Sequence, residues 1–222
     1  MAVEYFHMAV RHNPSPEKTI LHLKWYPHNA GFFKLNIDGA ACKTTREGKI
    51  GGVFRNNRGD WFMGYMRGMP HTTSIRAELQ ALWQGLQIAI DQIHTPLVID
   101  IDSTEVINMI RDDIFTHKPI IYECGSMMEQ LGNPTIGHNY MEQNHVVYLL
   151  AKKGVKEEIL ERTRFLVVPP VFANEEVWTD ILGTGKQNLI YNGYILRLTT
   201  KVKQLTIDFN KPEISKVGFL SM

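Results

Sequence analysis

Phe32-Phe33-Lys34-Leu35-Asn36-Ile37-Asp38-Gly39-Ala40 is the stretch on which the reading of this chain turns. Apolar Phe33, Leu35 and Ile37 alternate with polar Lys34, Asn36 and Asp38, the period of a strand with one buried face. Downstream, Ala40 to Ile50 reads as a polar loop and Gly52 to Arg55 as a second strand. Asn56-Asn57-Arg58-Gly59-Asp60 is turn chemistry, and Trp61 to Arg67 is a third strand. Strands joined this tightly pair antiparallel. Thr72-Thr73-Ser74 then offer N-caps for a helix in which Ile75, Leu79, Leu82, Leu86 and Ile90 recur at helical spacing. Leu97 to Asp102 is a fourth strand, and Ser103 or Thr104 opens a short helix. Ile120 to Leu131 is a further helix, ended by Gly132-Asn133-Pro134, and Thr135 to Tyr140 alternates as a fifth strand. Asn144 is placed to cap a last helix, His145 to Lys153, stopped by Gly154. The order β-β-β-α-β-α-α-β-α predicts an α/β fold, a five-stranded mixed sheet with helices on its faces.

The flanks read differently. Residues 1–30, with Pro14, Pro16 and Pro27, form a poorly ordered lead-in to an α/β domain at 31–155. Residues 156–222 are a C-terminal extension expected to be weakly ordered, and Val167-Val168-Pro169-Pro170-Val171 in it cannot be helical. With 222 residues, 44% hydrophobic and 21% charged, the chain has enough apolar material for a core. The formal net charge is only +1, so any nucleic-acid affinity must come from a local patch. Cys42 and Cys124 form no Cys-x-x-Cys pair, which fits a reducing compartment and no disulfide-linked partner. No apolar run reaches membrane-spanning length, and Met1 to His12 lacks the continuous apolar core of a secretory signal. An intracellular protein, nuclear or cytoplasmic and monomeric by default, is the expectation. Gly183-Thr184-Gly185-Lys186-Gln187 lacks the first glycine and the Ser/Thr of a phosphate loop.

Three carboxylates stand out. Asp38 ends the first strand and Asp102 the fourth, where open α/β sheets place their sites. Glu78 shares a helical face with Leu82, Gly85 and Ala89, where an ionised carboxylate needs a compensating cation or donor. If the three meet, their repulsion becomes coordination around a divalent cation, and an all-oxygen set selects Mg²⁺, Mn²⁺ or Ca²⁺ over zinc. Each residue also has an ordinary reading. Asp102 can be a helix N-cap with Glu105 in a capping box, Asp38-Gly39 a turn, and Glu78 a solvated helix rim.

Larger blocks carry a resemblance. They are Trp25-x-Pro27, Gly31-x-Phe33-Lys34-Leu35-Asn36-x-Asp38-Gly39-Ala40 and Gly51-Gly52-Val53-Phe54-Arg55-Asn56. Further along come Thr73-Ser74-x-x-Ala77-Glu78-x-x-Ala81-Leu82-x-x-Gly85-Leu86, Asp102-Ser103, and Glu142-x-Asn144 before Leu149-Leu150-Ala151. Over residues 25 to 154 the chain resembles the plant ribonuclease H-like domains, type I domains related to non-LTR retrotransposon reverse transcriptases. The resemblance implies a ribonuclease H-like fold in which four carboxylates bind two Mg²⁺ ions and hydrolyse the RNA strand of an RNA–DNA hybrid. Carried over, Asp38, Glu78 and Asp102 are the first three catalytic, metal-binding positions, with Mg²⁺ or Mn²⁺ as cofactor and an RNA–DNA hybrid as partner. The fourth position is occupied by Tyr148, a phenol and a poor ligand for a hard metal. The resemblance therefore implies hydrolysis that is weakened or lost, and the alternatives are an inactive nucleic-acid-binding module or a decaying retroelement-derived fragment. The glycine-rich segment of the relatives reads Ala40-Ala41-Cys42-Lys43-Thr44-Thr45-Arg46-Glu47-Gly48, in which Lys43, Thr44 and Arg46 are candidate phosphate contacts. A solvated loop is the other reading of that segment.

Overall fold

The computed structural model describes residues 18–92, 96–112, 117–153 and 162–184, and the strand segments 186–191, 194–198, 205–207 and 219–220. Two compact units divide the chain, one of Lys24–Thr184 and one of Met1–Leu23 with Gly185–Met222. In the second, β1 (Lys18–Leu23) pairs antiparallel with β8 (Lys186–Tyr191). The sheet continues through β9 (Tyr194–Leu198), β10 (Leu205–Ile207) and β11 (Phe219–Leu220). The expectation of weak order was placed on this region and on the lead-in; its described backbone pairs as strands, and residues 1–17 lie outside the described set.

The larger unit is built on β2 (Phe33–Ala41), β3 (Gly48–Arg55) and β4 (Trp61–Met69), an antiparallel meander. The loop between β2 and β3 is shorter than the expected Ala40–Ile50, because Gly48, Lys49 and Ile50 pair with Ala41, Ala40 and Gly39. Glycine and lysine carry little strand propensity, so this ladder is set by its partner strand. Helix α1 (Ser74–Gln92) follows, and Thr73 Oγ1 accepts the Arg76 N–H at 3.2 Å as its N-cap. Strand β5 (Leu97–Ile101) pairs parallel with β2 and with β6 (Thr135–His138). Helices α2 (Thr104–Arg111) and α3 (Lys118–Gln130) lie between β5 and β6, and α4 (His145–Lys153) follows β6. The expected stop at Gly154 lies outside the described residues.

The sheet has six strands in the order β6-β5-β2-β3-β4-β7, not the expected five. The sixth, β7 (Arg164–Leu166), pairs with β4 and is too short for any periodicity to announce it. Past it, Val171–Ala173 form a 3-10 turn and α5 (Asn174–Leu182) closes on Gly183, a left-handed C-cap at φ +66°. The compact unit thus includes Trp25 ahead of residue 31, and β7 and α5 beyond 155.

Alternation along the strands divides the core. Leu35, Ile37, Ile50, Phe54 and Tyr65 are buried with α1, α2 and α3. Val53 and Met66 are buried on the other face with Val146, Val147 and Leu150 of α4 and Val177 of α5. Gly39 sits at the crossing of β2 and α1, where a Cβ would collide with the backbone of Ala77 and Glu78. A buried polar chain ties the second face together. Arg55 Nη1 bonds Asp180 Oδ2 at 2.7 Å, Arg55 Nη2 and Trp25 Nε1 both donate to Asn36 Oδ1, and the guanidinium lies 4.0 Å from the Trp25 ring centroid. Burial pushes the Arg55 pKa down, and Asp180 opposes that shift. The guanidinium thus rests on a carboxylate supplied 125 residues away.

Two losses of stability follow. Removing the Arg55 head in Arg55→Ala leaves Asp180 without its cation and costs about 3–5 kcal/mol. Gly39→Ala forces β2 from α1 at a cost of about 3 kcal/mol. Urea unfolding monitored by tryptophan fluorescence checks both; a midpoint unchanged in either variant contradicts the corresponding contact.

Candidate metal centre

Each member of the acidic trio is placed by a different element. Asp38 is two residues past buried Asn36 on β2, facing opposite to Leu35 and Ile37. Asp102 follows the last residue of β5, the parallel neighbour of β2. Glu78 lies in the second turn of α1, directly over Gly39. Asp38 is 6% and Glu78 7% exposed, and Asp102 is half-buried. One carboxylate oxygen from each lies within 4.8 Å of the other two.

The ordinary readings of these residues fail on particular contacts. Ser103, not Asp102, caps α2, its hydroxyl accepting the Val106 N–H at 3.3 Å. Asp38 and Gly39 are inside β2 and paired with Gly51 and Ile50, so they form no turn. Glu78 is buried and is not a wet rim. Two carboxylates at this spacing repel by about 3 kcal/mol in a protein-like dielectric. Three hard oxygens around one point fit a divalent cation of the Mg²⁺ or Mn²⁺ type.

Asp100, on the same strand face as Asp102, belongs to a different arrangement. Lys34 Nζ at 2.5 Å and Asn139 Nδ2 at 2.6 Å both donate to its Oδ2. Asn144, expected as the side-chain cap of α4, is turned to β2 instead: its Nδ2 donates to the Ile37 carbonyl at 2.6 Å, fixing α4 against the strand that carries Asp38, and its buried Oδ1 accepts no helix N–H. Sequence reasoning missed both ties; the asparagine at the start of the last helix was a visible signal for the second alone.

The other candidate residues are on the β2–β3 loop and on α4. Lys43, Thr44 and Arg46 are exposed on the β2–β3 loop. That loop is held by Arg46 N–H to the Cys42 carbonyl and by Thr72 N–H to the Arg46 carbonyl, at 2.8 and 2.7 Å, so it is docked beside the start of α1. Tyr148 is half-buried on α4, its hydroxyl accepting Lys152 Nζ at 2.6 Å. A cleft of about 410 Å³ opens between the end of β4 and the start of α1, with Arg67, His71 and Arg76 in its walls and no carboxylate. Among the described residues, no helix is long and apolar enough to cross a membrane.

Comparison with known proteins adds the following. A family model described as reverse transcriptase-like matches residues 36–154. No curated protein matches the chain. Among solved structures, the N-terminal RNase H domain of a Mycobacterium tuberculosis protein is similar at 16% identity with a TM-score of 0.51, covering 55% of this chain and 91% of that one. LC11-RNase H1 in complex with an RNA/DNA hybrid is similar at 17% identity and TM-score 0.50, covering 55% and 94%. LC9-RNase H1, a type 1 RNase H with the type 2 active-site motif, is similar at 13% identity and TM-score 0.51, covering 68% and 86%. These likenesses show that the fold is ribonuclease H-like.

The two thiols should differ in reactivity. Cys42 is exposed, and N–H donation from Thr45, with further help from Thr44, lowers its pKa. Cys124 is buried among α3 side chains, and burial, helped by Glu123, pushes its thiol up to about 12. Maleimide at mildly alkaline pH should label Cys42 rapidly and Cys124 only after unfolding. Equal labelling of both in the folded protein, read by peptide mass spectrometry, would contradict this placement.

Proposed function

The chain belongs to the reverse transcriptase-like family, and from that membership and the acidic trio we propose a nucleic-acid-binding protein of ribonuclease H type. Its substrate is an RNA–DNA hybrid, and its reaction is divalent-metal-dependent hydrolysis of the RNA strand. The observation that carries this reading is the convergence of Asp38, Glu78 and Asp102 from three separate elements within 4.8 Å. The solved relative bound to an RNA/DNA hybrid supports the choice of substrate.

Asp38, Glu78 and Asp102 hold the cation, Mg²⁺ or Mn²⁺. When bound, that ion polarises the scissile phosphate and stabilises charge on the departing oxygen. The chain's own part is orientation. Asn144 fixes the backbone at Ile37, and the Lys34–Asp100–Asn139 cluster fixes β5 against β2 just before Asp102. Positive charge for the strands comes from Lys43 and Arg46 on the docked loop and from the Arg67–Arg76 cleft. These are local patches, as a net charge of +1 requires.

Tyr148, at the family's fourth carboxylate position, favours a second reading. In that reading the chain binds the hybrid without cutting it, as a retroelement-derived module that has lost turnover. Incubating the full chain with a labelled hybrid and Mg²⁺ or Mn²⁺ separates the two. Hydrolysis that falls about 100-fold or more in Asp38→Asn supports the enzyme. Silence in the parent with activity in Tyr148→Asp identifies a disabled catalyst. No hybrid affinity in any variant overturns the nucleic-acid assignment itself.

A further inference from the structure

Tyr148 and Lys152 are one turn apart on α4 and held as a unit. Lys152 Nζ donates to Tyr148 Oη at 2.6 Å and lies 5.0 Å from the centre of the same ring. His145 stacks on Tyr148 with centroids 5.4 Å apart, and its Nδ1 is 3.1 Å from Glu176 Oε1 of α5. The phenol is therefore braced from two sides, and the exposed Lys152 head is held where its long chain would otherwise roam.

The level of this unit on the sheet follows from three contacts. Asn144, at the N-terminal end of α4, bonds the Ile37 carbonyl. Gly51, the partner of Asp38 on β3, lies against Leu150 and Ala151. The Lys152 carbonyl accepts Lys49 Nζ at 3.4 Å, and Lys49 is the partner of Ala40. Helix α4 thus runs beside β2 in the same sense, and Tyr148 stands between the levels of Ile37 and Ala40. It stands on the face of the sheet toward which Asp38 projects, opposite to Leu35 and Ile37.

We propose that Lys152, positioned by Tyr148, is a phosphate-binding residue at the margin of the acidic trio, supplying a fixed positive charge to the nucleic-acid strand that lies across it. The proposal rests on the nuclease-type reading of the trio. It also changes the charge balance. A carboxylate at position 148 would add a fourth negative charge, whereas the Tyr148–Lys152 pair adds a positive one. The site so composed takes a single divalent cation.

The test uses the full chain, an RNA–DNA hybrid duplex titrated by fluorescence anisotropy without metal, and Mn²⁺ alone titrated by calorimetry. Lys152→Met should weaken the duplex about fivefold and reduce the slope of log K against log salt by about 0.9, one phosphate contact. Lys152→Arg should retain the parent slope, and Tyr148→Phe, which frees the ammonium, should fall between. The parent chain should take up one Mn²⁺, lost in Asp38→Asn and tightened about threefold or more in Lys152→Met as a nearby like charge is removed. A duplex affinity and salt slope unchanged in Lys152→Met overturn the inference whatever the metal does. Two Mn²⁺ ions per parent chain overturn it as well. No Mn²⁺ uptake by the parent, with the duplex effect of Lys152→Met intact, refutes the metal reading of the trio and leaves the phosphate contact standing.

Discussion

Everything at the acidic trio depends on how closely α1 approaches the end of β2. Gly39 has no side chain, and the backbone of Ala77 and Glu78 occupies the space that a Cβ would need. That approach puts Glu78 over the strand next to Asp38, in a half-dry place where a carboxylate is otherwise unfavourable. The energy to hold it there comes from the apolar length of α1, whose buried Leu79, Leu82, Leu86 and Ile88 each contribute about 1.5–3 kcal/mol. Packing thus imposes the electrostatic repulsion, in a geometry that a divalent cation fits.

The opposite face is organised by buried polar groups. Lys34, Asn36, Arg55 and Asp100 are nearly inaccessible, yet each has a partner with which to share its charge or its hydrogen bonds. Such clusters stabilise less than apolar cores of equal size, but they tolerate few alternative geometries. Here they fix strand register beside the trio. Lys34 on β2 bonds Asp100 on β5, so the strand that carries Asp38 and the strand that leads into Asp102 are locked laterally two residues before Asp102.

Much of this is legible in the sequence, for identifiable reasons. The alternation through Phe33–Asp38 and the helical spacing from Ile75 to Ile90 are long enough for burial to dictate the pattern, and both elements form where expected. The fold class follows from their order, and the resemblance picks out the three acids before any coordinates. What pattern leaves open is whether Asp102 caps a helix, a matter of which of two adjacent side chains turns back; Ser103 does. Other features leave no local trace. Gly48–Ile50 become strand only because β2 is beside them, and β7 is three residues long. The pairing of Arg55 with Asp180 joins positions 125 residues apart, beyond the reach of any periodicity. Nor does any local pattern show that Asp100, two residues before Asp102, is claimed by Lys34 of the neighbouring strand.

The bond between Arg55 and Asp180 also says where self-sufficiency ends. Homology alone marks out 36–154, yet a polypeptide trimmed to those limits would carry a guanidinium in its interior with neither its counterion nor the indole stacked against it. Trp25 and α5, lying on either side of the recognisable stretch, act as two halves of one clasp around a common cation. Loss of either flank therefore removes one of the two groups that hold this guanidinium, which makes both ends part of the folded unit rather than appendages to it.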